Sequence, residues 1–139
     1  MLRVIAFLLL LLSVPALASD ALEIGDPWSP EAPPGRMMAG FMTLANHGSD
    51  EIVLVDAASE QFGRVEIHTM TVDDDDMMRM RKIDELAVPP GETVHLESGG
   101  LHLMLIDPEA HFSAGDRLDI ELIAADGQRF ELSLEVRSR

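Results

Sequence analysis

The chain has 139 residues, of which 25 are Asp or Glu, 10 are Lys or Arg, five are His, nine are Met and none is Cys. A formal net charge of −15 is repelled by phosphate backbones and anionic headgroups, which argues against nucleic-acid binding and against a peripheral membrane role. The lack of cysteine excludes disulfides, thiolate zinc sites, iron–sulfur clusters, blue-copper centres and cysteine nucleophiles, leaving His, Met and carboxylates as the available metal ligands.

At the N-terminus, Met1-Leu2-Arg3 sets one positive charge ahead of an unbroken apolar run from Val4 to Leu12, and Pro15-Ala16-Leu17-Ala18 ends in an Ala-x-Ala site. These three parts predict a secretory signal peptide over residues 1–18, and the apolar run is too short to span a bilayer. No cysteine follows the cleavage site, so no lipid is expected there. The mature chain, residues 19–139, is expected to be a single soluble domain in the periplasm, without stable membrane insertion.

Alternating segments separated by turn residues then follow one another, and no stretch holds a 3.6-residue apolar period over three turns. Strands are predicted at Leu22–Trp28, Met38–Ala45, Ile52–Ala58, Arg64–Thr71, Met77–Ile83, Thr93–Leu96, Leu101–Ile106, Arg117–Ala124 and Arg129–Arg137. Pro33-Pro34-Gly35, Asn46-His47-Gly48-Ser49, Pro89-Pro90-Gly91, Ser98-Gly99-Gly100 and Asp126-Gly127 supply the turns between them. Eight or nine short strands at this spacing predict an all-β Greek-key sandwich or barrel.

Side-chain direction brings out the chemistry, because residues two apart in a strand share a face. In Leu101-His102-Leu103-Met104-Leu105 the leucines claim one face and leave His102 and Met104 together on the other. In the same way Glu66, His68 and Met70 oppose Val65 and Ile67, and Met78 shares a face with Met80. An antiparallel register that sets His68 across from Met80 and Met70 across from Met78 crowds four soft or borderline ligands onto one hairpin face, with an odd-length turn inside Asp73–Asp76. His102 and Met104 can then close over that face from another strand. Neutral imidazole with thioether is a poor set for Ca²⁺, Mg²⁺ or Mn²⁺ and suits Cu(I). Imidazole must be neutral to bind, so loading is expected to weaken as pH falls through the ordinary histidine range.

These residues resemble the periplasmic copper chaperones of the PCu(A)C type, whose pattern is His, ten residues, Met, twenty-one residues, then His-x-Met. Here twenty-one residues separate Met80 from His102, whereas eleven separate His68 from Met80, and the extra one falls in the acidic turn. The resemblance extends over Trp28, Pro33-Pro34-Gly35, Gly40-Phe41-Met42-Thr43-Leu44, Asn46, Gly48, Val65-Glu66-Ile67-His68, Met78-Arg79-Met80-Arg81, Pro90-Gly91 and Gly99-Gly100-Leu101-His102-Leu103-Met104-Leu105. It implies a cupredoxin-like Greek-key β-sandwich that binds one Cu(I) through His68, Met80, His102 and Met104, with Met70 and Met78 as possible auxiliary ligands. It further implies delivery toward the CuA centre of cytochrome c oxidase or another copper protein; whether Cu(II) takes a second site is open. The alternative is a copper buffering or resistance protein that sequesters the ion without delivering it.

The site is expected on a surface rim, so that truncating Met104 leaves the fold intact. Met37, Met38 and Met42 read as strand and core residues, and His47, His95 and His111 as solvated or structural. Asp73–Asp76 reads as a solvated hairpin tip, since it lacks the ligand spacing, central Gly and distal Glu of a calcium loop. No Ser is arranged with a base, no Gly-rich phosphate loop occurs and no His cluster has catalytic-metal spacing, so an enzyme is not expected.

Overall fold

The computed structural model describes residues 21–139, so the signal peptide expected over residues 1–18 and the start of the mature domain lie outside the described residues. Ten strands follow in order: β1 (Leu22–Pro30), β2 (Met38–Asn46), β3 (Ile52–Ala58), β4 (Phe62–Val72), β5 (Met78–Lys82), β6 (Leu86–Val88), β7 (Thr93–Leu96), β8 (His102–Pro108), β9 (Arg117–Ala124) and β10 (Arg129–Arg137). No helix interrupts them among the described residues, as the all-β reading requires. The strand not anticipated is β6, three residues between Asp84-Glu85 and Pro89-Pro90, too short to show an alternation of its own.

The strands form one sheet in the order β5-β4-β8-β2-β1-β10-β9-β3-β6, and a further pairing of β4 with β3 closes it. Seven strands, β4-β8-β2-β1-β10-β9-β3, thus make a closed barrel, whereas the resemblance implied a cupredoxin-like Greek-key sandwich; the β4–β3 pairing is what joins the two ends of the sheet. Closure removes the open edges that would otherwise template aggregation. The join between first and last strands is parallel, with Trp28, Ser29 and Pro30 against Glu135, Val136 and Arg137. The other three strands share edges: β5 continues the β4 edge that β3 begins, β6 continues β3, and β7 pairs with the far half of β2.

The barrel interior is filled by the inward-facing members of each alternation. Leu44, Leu54, Leu103, Leu105, Leu118, Leu122, Leu134, Val88 and Val136 are fully buried, each worth roughly 1.5–3 kcal/mol of transfer free energy at most. Met38 and Met42 belong to this core, as expected, while Met37 is exposed. At Gly40 an added Cβ would lie 3.1 Å from both the Leu103 Cβ and the Leu134 Cδ1. The missing side chain therefore lets β2 lie close against the leucines it packs with.

Where β2 leaves the barrel, Asn46 is buried and fully engaged. Its side-chain amide donates to the carbonyls of Val88 (2.9 Å) and Asp50 (2.8 Å), and its side-chain oxygen accepts from the Gly48 N–H at 3.0 Å. Asn46→Ala leaves these groups without partners, one of them in the core, and should cost about 2 kcal/mol. A urea unfolding midpoint unchanged from wild type would contradict that role.

Candidate metal centre

The β4–β8 ladder places His68 directly across from His102, and Glu66 across from Met104. The imidazole ring centroids are 5.7 Å apart and tilted by 53°. His68, His102 and Met104, from segments more than thirty residues apart, therefore do share one face of adjacent strands. On the other side of β4, Met70 faces Met80 and Val72 faces Met78.

This last register corrects the expected one. His68 lies across from Lys82, not Met80, and Met70 across from Met80, not Met78. The slip is two residues, so every side chain keeps its face. Its cause is the turn. The Asp73 N–H donates to the Met77 carbonyl (3.0 Å), and the Asp73 carboxylate accepts from the N–H groups of Asp75 and Met77, both at 3.0 Å. The loop is Asp74–Asp76, with Asp76 in the left-handed region at φ 58°, the form of a three-residue hairpin. Four successive aspartates all tolerate that conformation, so the sequence does not say which adopts it. In the observed register Met80 is the diagonal neighbour of His68, within reach of a long side chain, whereas Met78 sits one rung farther toward the tip.

The expected surface rim is also only half realised. Met80 and Met78 are 50% and 58% exposed, but His102 and Met104 are only 5% and 6% exposed. The reason is the cover on the outer face, where Glu66 and His68 of β4 stand across from Met104 and His102. On the outer face Ala39 stands across from Met104, and Trp28 across from Phe41, with their rings 5.2 Å apart. Met104 is nonetheless separate from the leucine-rich core, which lies on the other side of the sheet.

The polar contacts leave one nitrogen free on each imidazole. His68 Nε2 is 2.7 Å from Glu66 Oε2, and His68 Nδ1 is buried without a hydrogen-bond partner among the described residues. His102 Nδ1 is 2.9 Å from the Gly100 carbonyl oxygen. The His68 hydrogen bond holds the Glu66 carboxyl below its ordinary pKa against the opposing effect of burial, with smaller help from the nearby Lys82 and Arg64 charges. Glu66 is thus an anion at neutral pH. It had been placed on this face by alternation without a role; a Glu two residues before a ligand-type His on one strand face is the signal that marks it.

The remaining histidines stay away. His47 is exposed and 2.6 Å from Glu23, while His95 and His111 are also exposed. Asp73–Asp76 forms the hairpin tip, with the Asp73 carboxylate paired to Arg79.

Residues 22–136 match the family model described as "Putative lipoprotein LpqE-like". The chain belongs to the LpqE-like family. It is 29% identical over 124 residues to "Putative lipoprotein Lxx21020" of Leifsonia xyli subsp. xyli, covering 88% of this chain and 74% of that one. It is 30% identical over 99 residues to "Uncharacterized protein RP573" of Rickettsia prowazekii, covering 70% of this chain and 54%, about half, of that relative. The fold is shared with the apo PCuAC domain from PmoF1, at TM-score 0.72 and 20% identity over 86% of this chain and 95% of that one. The copper-bound PCuAC domain from PmoF2 gives 0.71 and 19%, covering 86% and 94%. The Cu(I) form of DR1885 from Deinococcus radiodurans gives 0.63 and 28%, covering 86% and 81%. The LpqE-like family is described by lipoproteins, yet these 139 residues hold no cysteine on which a thioether-linked lipid could be built. No helix among the described residues is long and apolar enough to cross a membrane.

The burial gradient predicts a pattern of oxidation. With limiting peroxide, Met77, Met78 and Met80 should form sulfoxide well before Met38, Met42 and Met104, as read by peptide mass spectrometry of the folded protein. Equal rates at Met80 and Met104 would contradict the buried placement of β8.

Proposed function

We propose that this protein is an exported, periplasmic copper chaperone that binds one Cu(I) through His68, Met80, His102 and Met104 and passes it to an acceptor such as the CuA centre of cytochrome c oxidase. The observation that carries the reading is the facing pair His68 and His102, each with one nitrogen hydrogen-bonded and the other unengaged, on a face that also bears Met104, Met70 and Met80. A buried nitrogen without a partner is costly in a protein built only to be stable. As a metal ligand it has a purpose. Two imidazoles with thioethers select a soft monovalent ion over hard divalent cations, and the PCuAC likeness, which includes a Cu(I)-bound relative, supports the choice of copper.

Delivery then follows from unequal exposure. His68, His102 and Met104 hold the ion from the sheet side, and Met80 closes the site from the exposed strand β5. An incoming acceptor ligand displaces Met80 first, and the remaining ligands follow one at a time, so the ion is never free in solution. No bond is made or broken other than metal–ligand exchange, so the protein works without catalysis. Met70, paired across from Met80, can take the ligand's place while the exchange proceeds. Buffering without delivery is the second reading, favoured specifically by the burial of His102 and Met104, which opposes release.

Because Met104 is buried, Met104→Ala would confound ligand loss with a packing defect. Met104→Leu keeps the volume and removes only the thioether. In an anaerobic Cu(I) titration against a colorimetric competitor, wild type should bind one ion, and His102→Ala/Met104→Leu should bind more than about 100-fold more weakly, beyond the range of outer-sphere changes. Equal weak binding by both proteins would eliminate the copper reading. Loaded protein mixed with an apo CuA domain should then transfer its ion; retention against an acceptor of higher affinity would identify a buffer.

A further inference from the structure

We propose that Glu66 is a positioning residue for this site: by accepting the Nε2–H of His68 it makes that imidazole bind through Nδ1, while the Gly100 carbonyl makes His102 bind through Nε2. The choice of metal rests on the copper reading above. The choice of nitrogen does not, because it is set in the metal-free protein.

Both partners can only accept a hydrogen bond. A carboxylate has no proton to give, so the 2.7 Å contact between Glu66 Oε2 and His68 Nε2 requires the proton on Nε2. In the neutral ring, the form that can bind a metal, that leaves the lone pair on Nδ1, the buried nitrogen that has no partner. A backbone carbonyl likewise has no proton, so the 2.9 Å contact between Gly100 O and His102 Nδ1 puts the proton on Nδ1 and the lone pair on Nε2. The nitrogen left free by the second contact is the one that can ligate.

The two histidines are therefore not equivalent, although they face each other on adjacent strands. Nδ1 is bonded to the ring carbon next to Cβ, and Nε2 lies at the far end of the ring. His68 presents its lone pair near the backbone of β4, and His102 presents its own from the tip. Two identical tautomers on directly opposed rungs would offer both lone pairs at the same height above the sheet. Glu66 Oε1 in turn accepts from Arg64 Nε at 3.2 Å, from two residues away on the same strand.

The test is made on the exported protein by long-range ¹H–¹⁵N correlation of the imidazole rings, first metal-free and then with one equivalent of Cu(I) under anaerobic conditions. Metal-free His68 should show protonated Nε2 and bare Nδ1, and His102 the reverse. Copper should then shift His68 Nδ1 and His102 Nε2. Glu66→Ala should mix the His68 tautomers and weaken Cu(I) binding about 10- to 100-fold, whereas Glu66→Gln, whose amide oxygen still accepts from Nε2–H, should restore the single tautomer and most of the affinity. A proton on Nδ1 of metal-free His68, or a copper shift at its Nε2, would overturn the proposal while leaving a His/Met copper site standing. Equal weakening by Glu66→Gln and Glu66→Ala would also overturn it, marking the carboxylate as a ligand in its own right. Wild-type tautomers as expected, with no copper shift on either ring, would instead uphold the orientation by Glu66 and remove the copper reading.

Discussion

The structure depends on β8 having to bury both of its faces. Hydrogen-bonded to β4 along one edge and to β2 along the other, it has its inner face on the core and its outer face beside Glu66, His68 and Ala39. Leu103 and Leu105 meet this demand on the barrel side with side chains that need no partners. The outer face carries His102 and Met104 instead. A thioether can be buried at little cost, but an imidazole has two nitrogens to account for. Gly100 accounts for one of them from the turn that leads into the strand. What is left is a ring nitrogen without a partner beside a second histidine, and the same closure that shields the core thereby fixes the two rings relative to each other.

Much of this was legible in the sequence, and the part that was not has a common cause. Strand positions followed from the turn residues, and Ile52–Ala58, Thr93–Leu96, Arg117–Ala124 and Arg129–Arg137 have the expected limits. Faces followed from period-two alternation, which is why His68, Met80, His102 and Met104 were grouped correctly on one side. Alternation is blind to displacement by an even number of residues, however, and the β4–β5 pairing moved by two. Only the Asp73 turn decides between these registers, and four identical residues carry no internal clue to it. Burial depth was hidden for a related reason: alternation says which way a side chain points, not which side chains stand beside it on that face. The Leu-His-Leu-Met-Leu pattern reads as half-exposed on a bare outer face and as wholly buried on one that neighbouring side chains cover.

The comparisons add what a single chain cannot supply. The LpqE-like match covers nearly all the described residues, and the PCuAC domains show that this barrel persists at 20% identity. A fold kept while most side chains change says little about ligands. The four ligand-type residues are better judged by where the barrel puts them. Three come from the facing strands β4 and β8, which the closure holds in register, and the fourth comes from β5, whose residues are all exposed and which hangs on β4 outside the closed ring. Such an arrangement combines a rigid part with a pendant one, as the proposed uptake and release of Cu(I) require.

The one-residue departure from the PCu(A)C pattern can now be understood in these terms. An extra residue inside β4 or β5 would turn His68 or Met80, the two proposed ligands, to the opposite face of the sheet. In the turn it does no such harm. A two-residue hairpin loop and a three-residue loop can close the same pair of strands, the longer one placing its last residue in the left-handed region. Asp76, at φ 58°, is that residue. Aspartate tolerates this conformation better than most side chains, so the added position falls where its backbone requirement is met. Eleven residues between His68 and Met80 therefore leave both on one face, one rung apart. The change in spacing is absorbed by the loop, and the chemistry on the strands is left as it was.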